Sequence, residues 1–437
     1  MANPHPSFYR QASLWLILQA SVLLLPLFPA LGGIGLIFVL VRVYQLNLAK
    51  IIQDKINWGL CLIALWLVIN SALAYKTSEA WLGLANFLPY FALFAATRTL
   101  INTTAKLHRL AWLLILPSAP IVILGLGQLY GNWQSLPLIK NIFGWEIIPQ
   151  GVPTGRMSSV FIYANFLAIY LVITFILSLG LWLKNWSQNH SLNPRLIVLS
   201  SILMLNSIGL ILANSRNAWL VILIACLSFA LYVGWYWLIG AIAAIMAIIA
   251  SASFGNFKGQ ANLRKIVPQF LWERLSDQSY PDRPIATLRL SQWQFSWQKI
   301  QERPLQGWGL RNFTPMYLEE TTLWFGHPHN LFIMLGLEIG LVATLVFCFL
   351  VGSVLFITTV KTFFSQQTNL AQASLKKVDK LIIFTYLLAF SCCTLFNLVD
   401  VSIFDFRVNT IGWLLLASIA GVVADHSKSS VAQPDLA

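Results

Sequence analysis

The sequence is poor in charged residues: Asp, Glu, Lys and Arg make up 10% of its 437 residues, whereas 58% are hydrophobic and the mean hydropathy is +0.72. A soluble domain of this length could not bury so much apolar surface, which excludes a soluble globular protein. Apolar stretches long enough to cross a bilayer recur from Ser13 to Val423. Lipid is therefore the solvent for most of the chain. We expect the first stretch to be retained as an anchor rather than cleaved as a signal peptide.

Several patterns that carry chemistry are also absent. The five cysteines all fall inside apolar segments and show no CxxC or Cys/His spacing, which argues against a disulfide framework and against a metal site. There is no Walker loop, no GxSxG elbow and no DxD-like carboxylate pair, so nucleotide-driven chemistry is not expected. The net charge of +13 comes from basic residues dispersed among loops. Membrane orientation explains this charge better than a nucleic-acid partner does.

Apolar segments bounded by charges, Pro and Asn predict an all-α, polytopic integral membrane protein with about twelve transmembrane helices. The predicted spans lie near residues 13–29, 31–47, 57–74, 81–97, 107–128, 157–183, 196–213, 217–234, 236–253, 329–357, 381–399 and 403–424. With the N-terminus in the cytoplasm, fourteen Lys or Arg residues lie in cytoplasmic segments and five in short external loops. The positive-inside rule therefore favours two cytoplasmic termini.

The spans divide the chain into four predicted parts. Residues 1–253 hold the first nine transmembrane helices, 254–326 form a large extracytoplasmic loop, 327–424 hold the last three helices, and 425–437 are a disordered cytoplasmic tail. The loop is too long and too aromatic for a simple connector.

The large loop contains an apolar stripe at helical spacing. Leu290, Trp293, Trp297 and Ile300 recur every three or four residues after Arg289. They predict an amphipathic helix that stops before the following proline and could lie on the membrane surface. The GlyTrpGly of residues 307–309 predicts a turn back toward the next span.

His329 opens the predicted tenth span in the segment GHPHNLFIMLGLEIG. At 100° per residue, Gly336 and Gly340 would share its helical face and let a neighbouring helix approach the imidazole closely. A lone interfacial histidine is more often structural than catalytic, but this glycine spacing favours a site. His327 is expected to point elsewhere. Glu338 would lie about 13 Å deeper and on the opposite face, where locking helices together is the favoured role.

Three polar residues in the first half are further candidates. Arg216, in SRNAWL between two spans, is too costly to bury in lipid and must face water or an anion. An ordinary interface anchor is an equally good interpretation. Arg156 and Asn165 flank SSVFIYAN at the entrance to the sixth span. They are either a loop cation and an interhelical amide, or ligand contacts.

Together these elements resemble the O-antigen ligase and O-antigen polymerase superfamily of bacterial envelope glycosyltransferases. The resemblance covers nearly the whole chain: the span pattern, the large loop, an Arg-x3-Leu element at Arg216 to Leu220 and a His-x10-Gly element at His329 to Gly340. The segment RLSQWQFSWQKIQERPLQGWGLRNF is similar to the family's Arg-rich stretch and its Pro-x-x-Gly-x-Gly turn.

The resemblance implies a GT-C-like membrane glycosyltransferase of lipopolysaccharide biosynthesis in the cytoplasmic (inner) membrane of a bacterium, with its site facing the periplasm. It would move a preassembled glycan from undecaprenyl diphosphate to a hydroxyl of lipid A core or another glycan, among membrane lipids and without cofactor, metal or ATP. His329 would be the base, and Arg216 and Arg289 would clamp the diphosphate. The resemblance also suggests four substrate-binding residues: Arg156, Asn165, His327 and Asn330.

Two alternatives remain open from the sequence. An O-antigen polymerase would join lipid-linked repeat units, and the His-x10-Gly element and the loop arginine favour the ligase over it. A secondary transporter of a small anion such as bicarbonate would normally show ionisable residues at the midplane and repeated halves. The arginines cluster outside instead, and the sequence shows no internal repeat.

Overall fold

The protein is helical throughout the part that the computed structural model describes, which is residues 6–189, 191, 193–276, 284–364 and 377–429. Within those ranges the only extended pairing is an isolated bridge between Gly151 and Arg156. The helices of the first half are α1 (Pro6–Leu24), α2 (Pro29–Gln53), α3 (Lys55–Ala72), α4 (Thr77–Gly83), α5 (Leu88–Leu100), α6 (Thr104–Ile115), α7 (Ser118–Tyr130), α8 (Pro137–Phe143), α9 (Ala164–Asn189), α10 (Pro194–Ala213) and α11 (Arg216–Val233).

The second half continues with α12, which precedes the large loop. Its helices are α12 (Tyr236–Phe254), α13 (Gln260–Ile266), α14 (Gln269–Leu275), α15 (Arg289–Glu302), α16 (Phe313–Thr321), α17 (Leu331–Ile339), α18 (Leu341–Thr359), α19 (Lys377–Phe396) and α20 (Phe406–Ser429). A π-helical turn, Val360–Phe364, extends α18. Because α20 runs to Ser429, it enters the segment predicted as a disordered tail, whose residues 430–437 lie outside the described ranges.

Eleven of the described helical segments are long and apolar enough to cross a membrane. The apolar part of α1, Gln11–Leu24, is shorter, and counting it gives the twelve segments predicted from the sequence. The all-α, multi-pass membrane architecture is thereby confirmed. The sixth span differs from its prediction, because α9 begins at Ala164 and residues 157–163 are irregular rather than helical.

The spans are buried to very different degrees. In α9 and α20 about four fifths of the span is buried, 78% and 83%, whereas in α12 only 11% is buried. Helices α9 and α20 therefore form the centre of the bundle. There α9 packs on both α10 and α19, whereas α20 packs on α5. Helix α12 lies at the periphery, where its all-round apolar surface suits contact with lipid.

The tenth predicted span is broken at Gly340, which lies between α17 and α18 with φ +84°. A Cβ at this position would stand 2.0 Å from the carbonyl oxygen of Leu305, so both the backbone angle and the close approach require glycine. The prediction of one continuous helix over 329–357 is wrong. The shared helical face predicted for His329 and Gly340 is wrong for the same reason.

The turn after α15 fills this break. Trp308 donates its backbone N–H to the carbonyl of Leu337 at 2.9 Å. Gly309 donates in the same way to the carbonyl of Glu338 at 2.8 Å. These carbonyls would otherwise bond to N–H groups one turn further along the same helix. The turn predicted for residues 307–309 is therefore confirmed, and it satisfies the backbone that the Gly340 break leaves open.

Helix α15 confirms the predicted loop helix, and the apolar stripe predicted to lie on the membrane surface is partly exposed and partly buried in the protein. Leu290 and Trp297 are 62% and 54% exposed, whereas Phe295 and Ile300 are buried against α16 and α17. Gly336 of α17 receives this packing, since a Cβ there would lie 3.2 Å from Cδ1 of Ile300. The loop helix thus packs on the first half of the broken span, and its exposed apolar residues face outward.

Glu338 fits the role of holding elements together. It is 2% exposed in α17, and its carboxylate faces the backbone amides of Arg311 and Phe313 at the start of α16. Amides at a helix N-terminus favour a carboxylate. The residue therefore links α16 to α17.

Candidate functional site

His327 and His329 lie together in the segment just before α17. Their ring centroids are 4.6 Å apart, so the prediction that His327 points elsewhere is wrong. That prediction extended a helix back through both residues, but α17 begins only at Leu331. Asn330 sets this start, because its side-chain oxygen accepts the N–H groups of the second and third helical residues at 2.9 and 3.0 Å. The Asn330 oxygen is therefore committed to helix capping.

The backbone around His329 is held in a sparsely populated conformation. Its φ is +52°, in the left-handed region that side chains other than glycine rarely adopt. The preceding carbonyl, that of Pro328, accepts Nε1–H of Trp293 at 2.8 Å. Two residues after His329, Leu331 donates its N–H to the carbonyl of Asn397 at 2.9 Å. Contacts from α15 and from the residue just after α19 thus fix the backbone on both sides of His329, as is common where strain serves a site.

Asp400, in the segment between α19 and α20, faces both histidines. Its Oδ1 lies 3.2 Å from Nδ1 of His329 and 3.9 Å from Nε2 of His327. The side chain of Asp400 is 6% exposed, that of His329 is 22% exposed and that of His327 is 15% exposed. All three are therefore largely shielded from solvent. We call His327, His329 and Asp400 the histidine–aspartate cluster.

The hydrogen bonds of the cluster assign its protons. Nδ1 of His327 accepts the backbone N–H of His329 at 3.2 Å, so the His327 proton sits on Nε2, toward Asp400. An ionised carboxylate can only accept, so Nδ1 of His329 carries the proton that it donates to Asp400. This tautomer leaves Nε2 of His329 with a free lone pair.

The charges of the cluster are set by burial and by its neighbours. Burial lowers the pKa of His327 to about 4; the neighbouring His329 and Arg289 add to this and Asp400 opposes it. Burial alone would raise the pKa of Asp400. The His329 hydrogen bond, together with the nearby His327 and Arg289, holds it below its usual range instead. At neutral pH the cluster therefore combines a neutral His327 with an ionised Asp400.

A chain of polar contacts continues from Asp400 into α9. Its Oδ2 accepts Nδ2–H of Asn165 at 2.5 Å. Asn165 in turn accepts Nη2–H of Arg156 at 2.6 Å. Arg156 also donates Nε–H to the carbonyl of Ala213 at 2.9 Å. Arg156 and Asn165 are both buried, and they fix the carboxylate that faces His329.

The two arginines predicted to bind diphosphate have different surroundings. Arg289 is the exposed first residue of α15, within electrostatic range of both His327 and Asp400. Arg216 is the first residue of α11, and its Nη1–H donates to the carbonyl of Arg274 in α14 at 3.3 Å.

The start of α11 is also tied to the end of α19, four residues before Asp400. Asn217 donates Nδ2–H to the carbonyl of Phe396 at 2.7 Å. The structure thus brings together four of the seven predicted site residues, His329, His327, Arg156 and Asn165, through an aspartate that was not predicted, and Arg289 lies within electrostatic range of it. Asn330 caps the adjoining helix, and Arg216 lies at the neighbouring end of α11.

The sequence analysis did not select Asp400, although its position between two apolar spans could have indicated it. In the 44 residues from Leu381 to Ala424, the only acidic residues are Asp400 and Asp405. Asp405 is engaged in a buried ion pair, with Oδ2 2.8 Å from Nη2 of Arg407. An acidic residue between two apolar spans is a functional candidate, and Asp400 stands at such a position.

The cluster also has ligand types that suit a divalent metal ion. One ligand atom from each of its three residues lies within 4.8 Å of the others. Two imidazoles and a carboxylate are common zinc ligands. The 3.2 Å contact between His329 and Asp400 also has the length of a direct hydrogen bond, which needs no metal ion.

The fold and the cluster define a class: a multi-pass, all-helical membrane protein with a histidine, a carboxylate and arginines at one end of its bundle. Residues 199–348 match the family model described as O-antigen ligase. No curated protein matches the chain. The matched segment runs from within α10 to within the first half of α18 and includes Arg216, Arg289, His329 and Gly340. This match, over about a third of the chain, supports the resemblance to the O-antigen ligase-like superfamily seen in the sequence.

Proposed function

We propose that the protein transfers a preassembled glycan from undecaprenyl diphosphate to a sugar hydroxyl, as an O-antigen ligase does, with His329 as the general base. The observation that carries this proposal is the 3.2 Å contact between Nδ1 of His329 and Oδ1 of Asp400. A buried carboxylate that accepts a hydrogen bond from one ring nitrogen of a histidine fixes the orientation of the ring, so that the other nitrogen can abstract a proton. Catalytic triads orient their histidine base in the same way.

The reaction needs a base because the acceptor is a hydroxyl. Nε2 of His329 takes the hydroxyl proton while the oxygen attacks the anomeric carbon of the donor sugar. The bond between that carbon and the diphosphate oxygen breaks, and the lipid diphosphate leaves with the electron pair. Asp400 stabilises the imidazolium that forms, since its carboxylate is ionised and 3.2 Å away. Arg156 and Asn165 act as positioning residues through Asp400.

The leaving diphosphate needs cations rather than a nucleotide. Arg289 at the start of α15 and Arg216 at the start of α11 supply guanidinium groups that bind phosphate oxygens in bidentate geometry. The positive N-terminus of α11 adds to the field at Arg216. The lipid diphosphate already carries the activation, so the proposed reaction uses neither ATP nor an essential metal.

The proposed location is the cytoplasmic membrane of a bacterium. An even number of crossings places both termini on one side, and the distribution of Lys and Arg favours the cytoplasm. The segment before α17, the loop helices α13 to α16 and the cluster then face the periplasm, where a lipid-linked glycan would be presented together with a lipid A core or other glycan acceptor.

A reconstituted transfer assay tests the proposal. Purified protein in lipid nanodiscs is given an undecaprenyl diphosphate-linked glycan and a lipid A core acceptor, with and without a chelator. Attachment of the intact glycan at equal rates with and without the chelator supports the proposal. Loss of transfer on chelation, restored by one added metal, would contradict the metal-free mechanism and assign the cluster to a metal.

A deletion strain separates the ligase from its closest alternative. Loss of polymer attachment with accumulation of lipid-linked chains supports the ligase. Attachment of single repeat units in place of polymers would instead assign a polymerase. Normal glycans together with altered uptake of a small anion would overturn both and favour a transporter.

A further inference from the structure

A cavity separates two of the last helices. Helices α18 and α19 both pack on α20, yet within the described part of the chain they scarcely touch each other. The space between them is a cavity of about 220 Å³. It is lined by Phe347 and Val351 of α18, by Phe390 of α19 and by Trp413 of α20.

The lining of the cavity selects for hydrocarbon. None of its residues is charged, and two of its three amide side chains already have partners within the protein. Asn397 accepts the backbone N–H of Ser402 at 2.8 Å. Asn409 donates to the carbonyls of Asn86 and Ile403, at 3.0 and 3.1 Å. A polar ligand would therefore lose its hydrogen bonds to water without gaining new ones, whereas an apolar chain loses none.

Two glycines keep the cavity open. Gly352 of α18 and Gly412 of α20 both line it, and a Cβ built on either one meets no atom within 4 Å. Larger side chains would fit at these positions without displacing neighbours. Helix formation does not favour glycine either, because it destabilises a helix interior relative to most residues. The glycines thus preserve a volume that packing does not use.

One end of this cavity adjoins the histidine–aspartate cluster. Leu331 and Asn397 both line it, and the N–H of Leu331 donates to the carbonyl of Asn397 at 2.9 Å. His329 precedes the first of these residues by two positions, and Asp400 follows the second by three. A chain lying in the cavity would therefore emerge beside the proposed base.

We propose that this cavity holds the first isoprene units of the donor's polyprenyl chain, an inference that rests on the proposed function. In a polyprenyl diphosphate-linked glycan only the diphosphate separates the reacting sugar carbon from the lipid chain. The chain must therefore leave the site close to His329, where the cavity begins. The acyl chains of an acceptor lipid are separated from its acceptor hydroxyl by sugars, so they have no need of a groove at this point.

Filling the cavity tests the proposal without disturbing the cluster. Gly412→Leu and Gly352→Leu are compared with Gly240→Leu, a control in α12 where a Cβ also meets no atom within 4 Å but which lies outside the cavity. Each variant is assayed with the full-length undecaprenyl donor and with a donor that carries a single isoprene unit. For the full-length donor, the cavity variants should raise KM at least about tenfold, the effect of exposing about two methylene groups.

The short donor and the Gly240→Leu control should both behave as in the wild type. If the cavity variants use the full-length donor as well as the wild type does, the chain lies elsewhere and the inference is wrong. Equal losses with both donors would show damage to the cluster rather than to a chain site, and would also contradict it.

A cross-linking experiment tests binding of the lipid chain separately from the proposed transfer reaction. A photoreactive polyprenyl diphosphate without a glycan should cross-link to α18 and α19 in the wild type and lose that labelling in Gly412→Leu, whether or not transfer occurs. Equal labelling by a photoreactive phospholipid would show that the cavity takes any membrane chain, and labelling unchanged by Gly412→Leu would place the chain elsewhere. A wild type that binds the chain but transfers no glycan would contradict the proposed function alone.

Discussion

Nδ1 of His329 lies 3.2 Å from Oδ1 of Asp400, a residue 71 positions further along the chain. This contact joins the segment before the broken tenth span to the segment between the last two helices. A buried amide, Asn165 from α9, holds the second carboxylate oxygen at 2.5 Å. Three separate parts of the chain therefore meet at one proton-transfer group.

Replacing the proposed base should stop the reaction. His329→Ala is expected to lower kcat by about 100-fold to 10,000-fold, the usual contribution of a positioned general base. Donor affinity should change little, because the base acts on the acceptor proton. Transfer by the purified variant and binding of undecaprenyl diphosphate are measured separately. Transfer at the wild-type rate would remove His329 from the mechanism.

His327→Ala is the matched control for that variant. Its imidazole accepts the backbone N–H of His329 and faces the same carboxylate, so an intermediate loss of activity is expected. A dead His327 variant beside an active His329 variant would reverse the assignment of the base. Equal losses in both would indicate a structural pair.

Removing the charge of the orienting carboxylate should weaken the base. Asp400→Asn is expected to lower kcat by about 100-fold or more, because the amide neither fixes the Nδ1–H tautomer nor stabilises the imidazolium. The acid limb of the kcat profile should also move to lower pH, which a purely structural loss would not cause. Asp400→Glu should recover part of the activity. An unshifted profile in a folded Asp400→Asn protein would exclude the orienting role.

The arginines should not tolerate lysine. Arg216→Lys and Arg289→Lys each keep a positive charge but lose bidentate binding of phosphate, so kcat/KM should fall by about 100-fold, as when a transition-state donor is lost. Arg303→Lys is the control, since that loop arginine stacks on the Trp308 ring, 4.0 Å from its centroid. Full activity of both test variants at normal protein levels would exclude diphosphate binding by these residues.

Acid should destabilise the protein through His327. Its folded pKa of about 4 lies below the usual value of 6.5, so its contribution to stability is complete above pH 6.5 and is lost as the pH falls toward 4. Asp400, whose pKa is also lowered, adds a loss only at lower pH, below the usual range of an aspartate. His327→Gln should reduce the fall in Tm between pH 6.5 and 4 by a few degrees. An unchanged slope would show that another group titrates.

Labelling from outside the cell tests the proposed orientation. Glu320→Cys, near the end of α16, should react with a membrane-impermeant thiol reagent. Gln53→Cys, at the end of α2, should react only after the membrane is permeabilised. Both positions are exposed, and the wild type gives the background from its five native cysteines. The opposite pattern would place the cluster in the cytoplasm and exclude a periplasmic reaction.

The sequence by itself determined the helical membrane architecture, the large loop with its helix after Arg289, the turn at residues 307–309 and the candidate histidine and arginines. These features are local, because hydropathy, proline and glycine act over a few residues. The break at Gly340 escaped prediction, since the backbone that replaces the missing helical hydrogen bonds comes from the loop after α15. Hydropathy records the apolar run but not its hydrogen-bond partners.

Only the tertiary structure decided how the cluster is built. The sequence analysis assumed a helix through His327 and His329, whereas the cap at Asn330 starts α17 after both of them and frees the two rings to face one carboxylate. Asp400 meets its other partner, Asn165, across 235 residues of chain. No local pattern specifies such pairs, because the packing of α9 against α19 and α20 brings them together and burial makes each unpaired polar group costly.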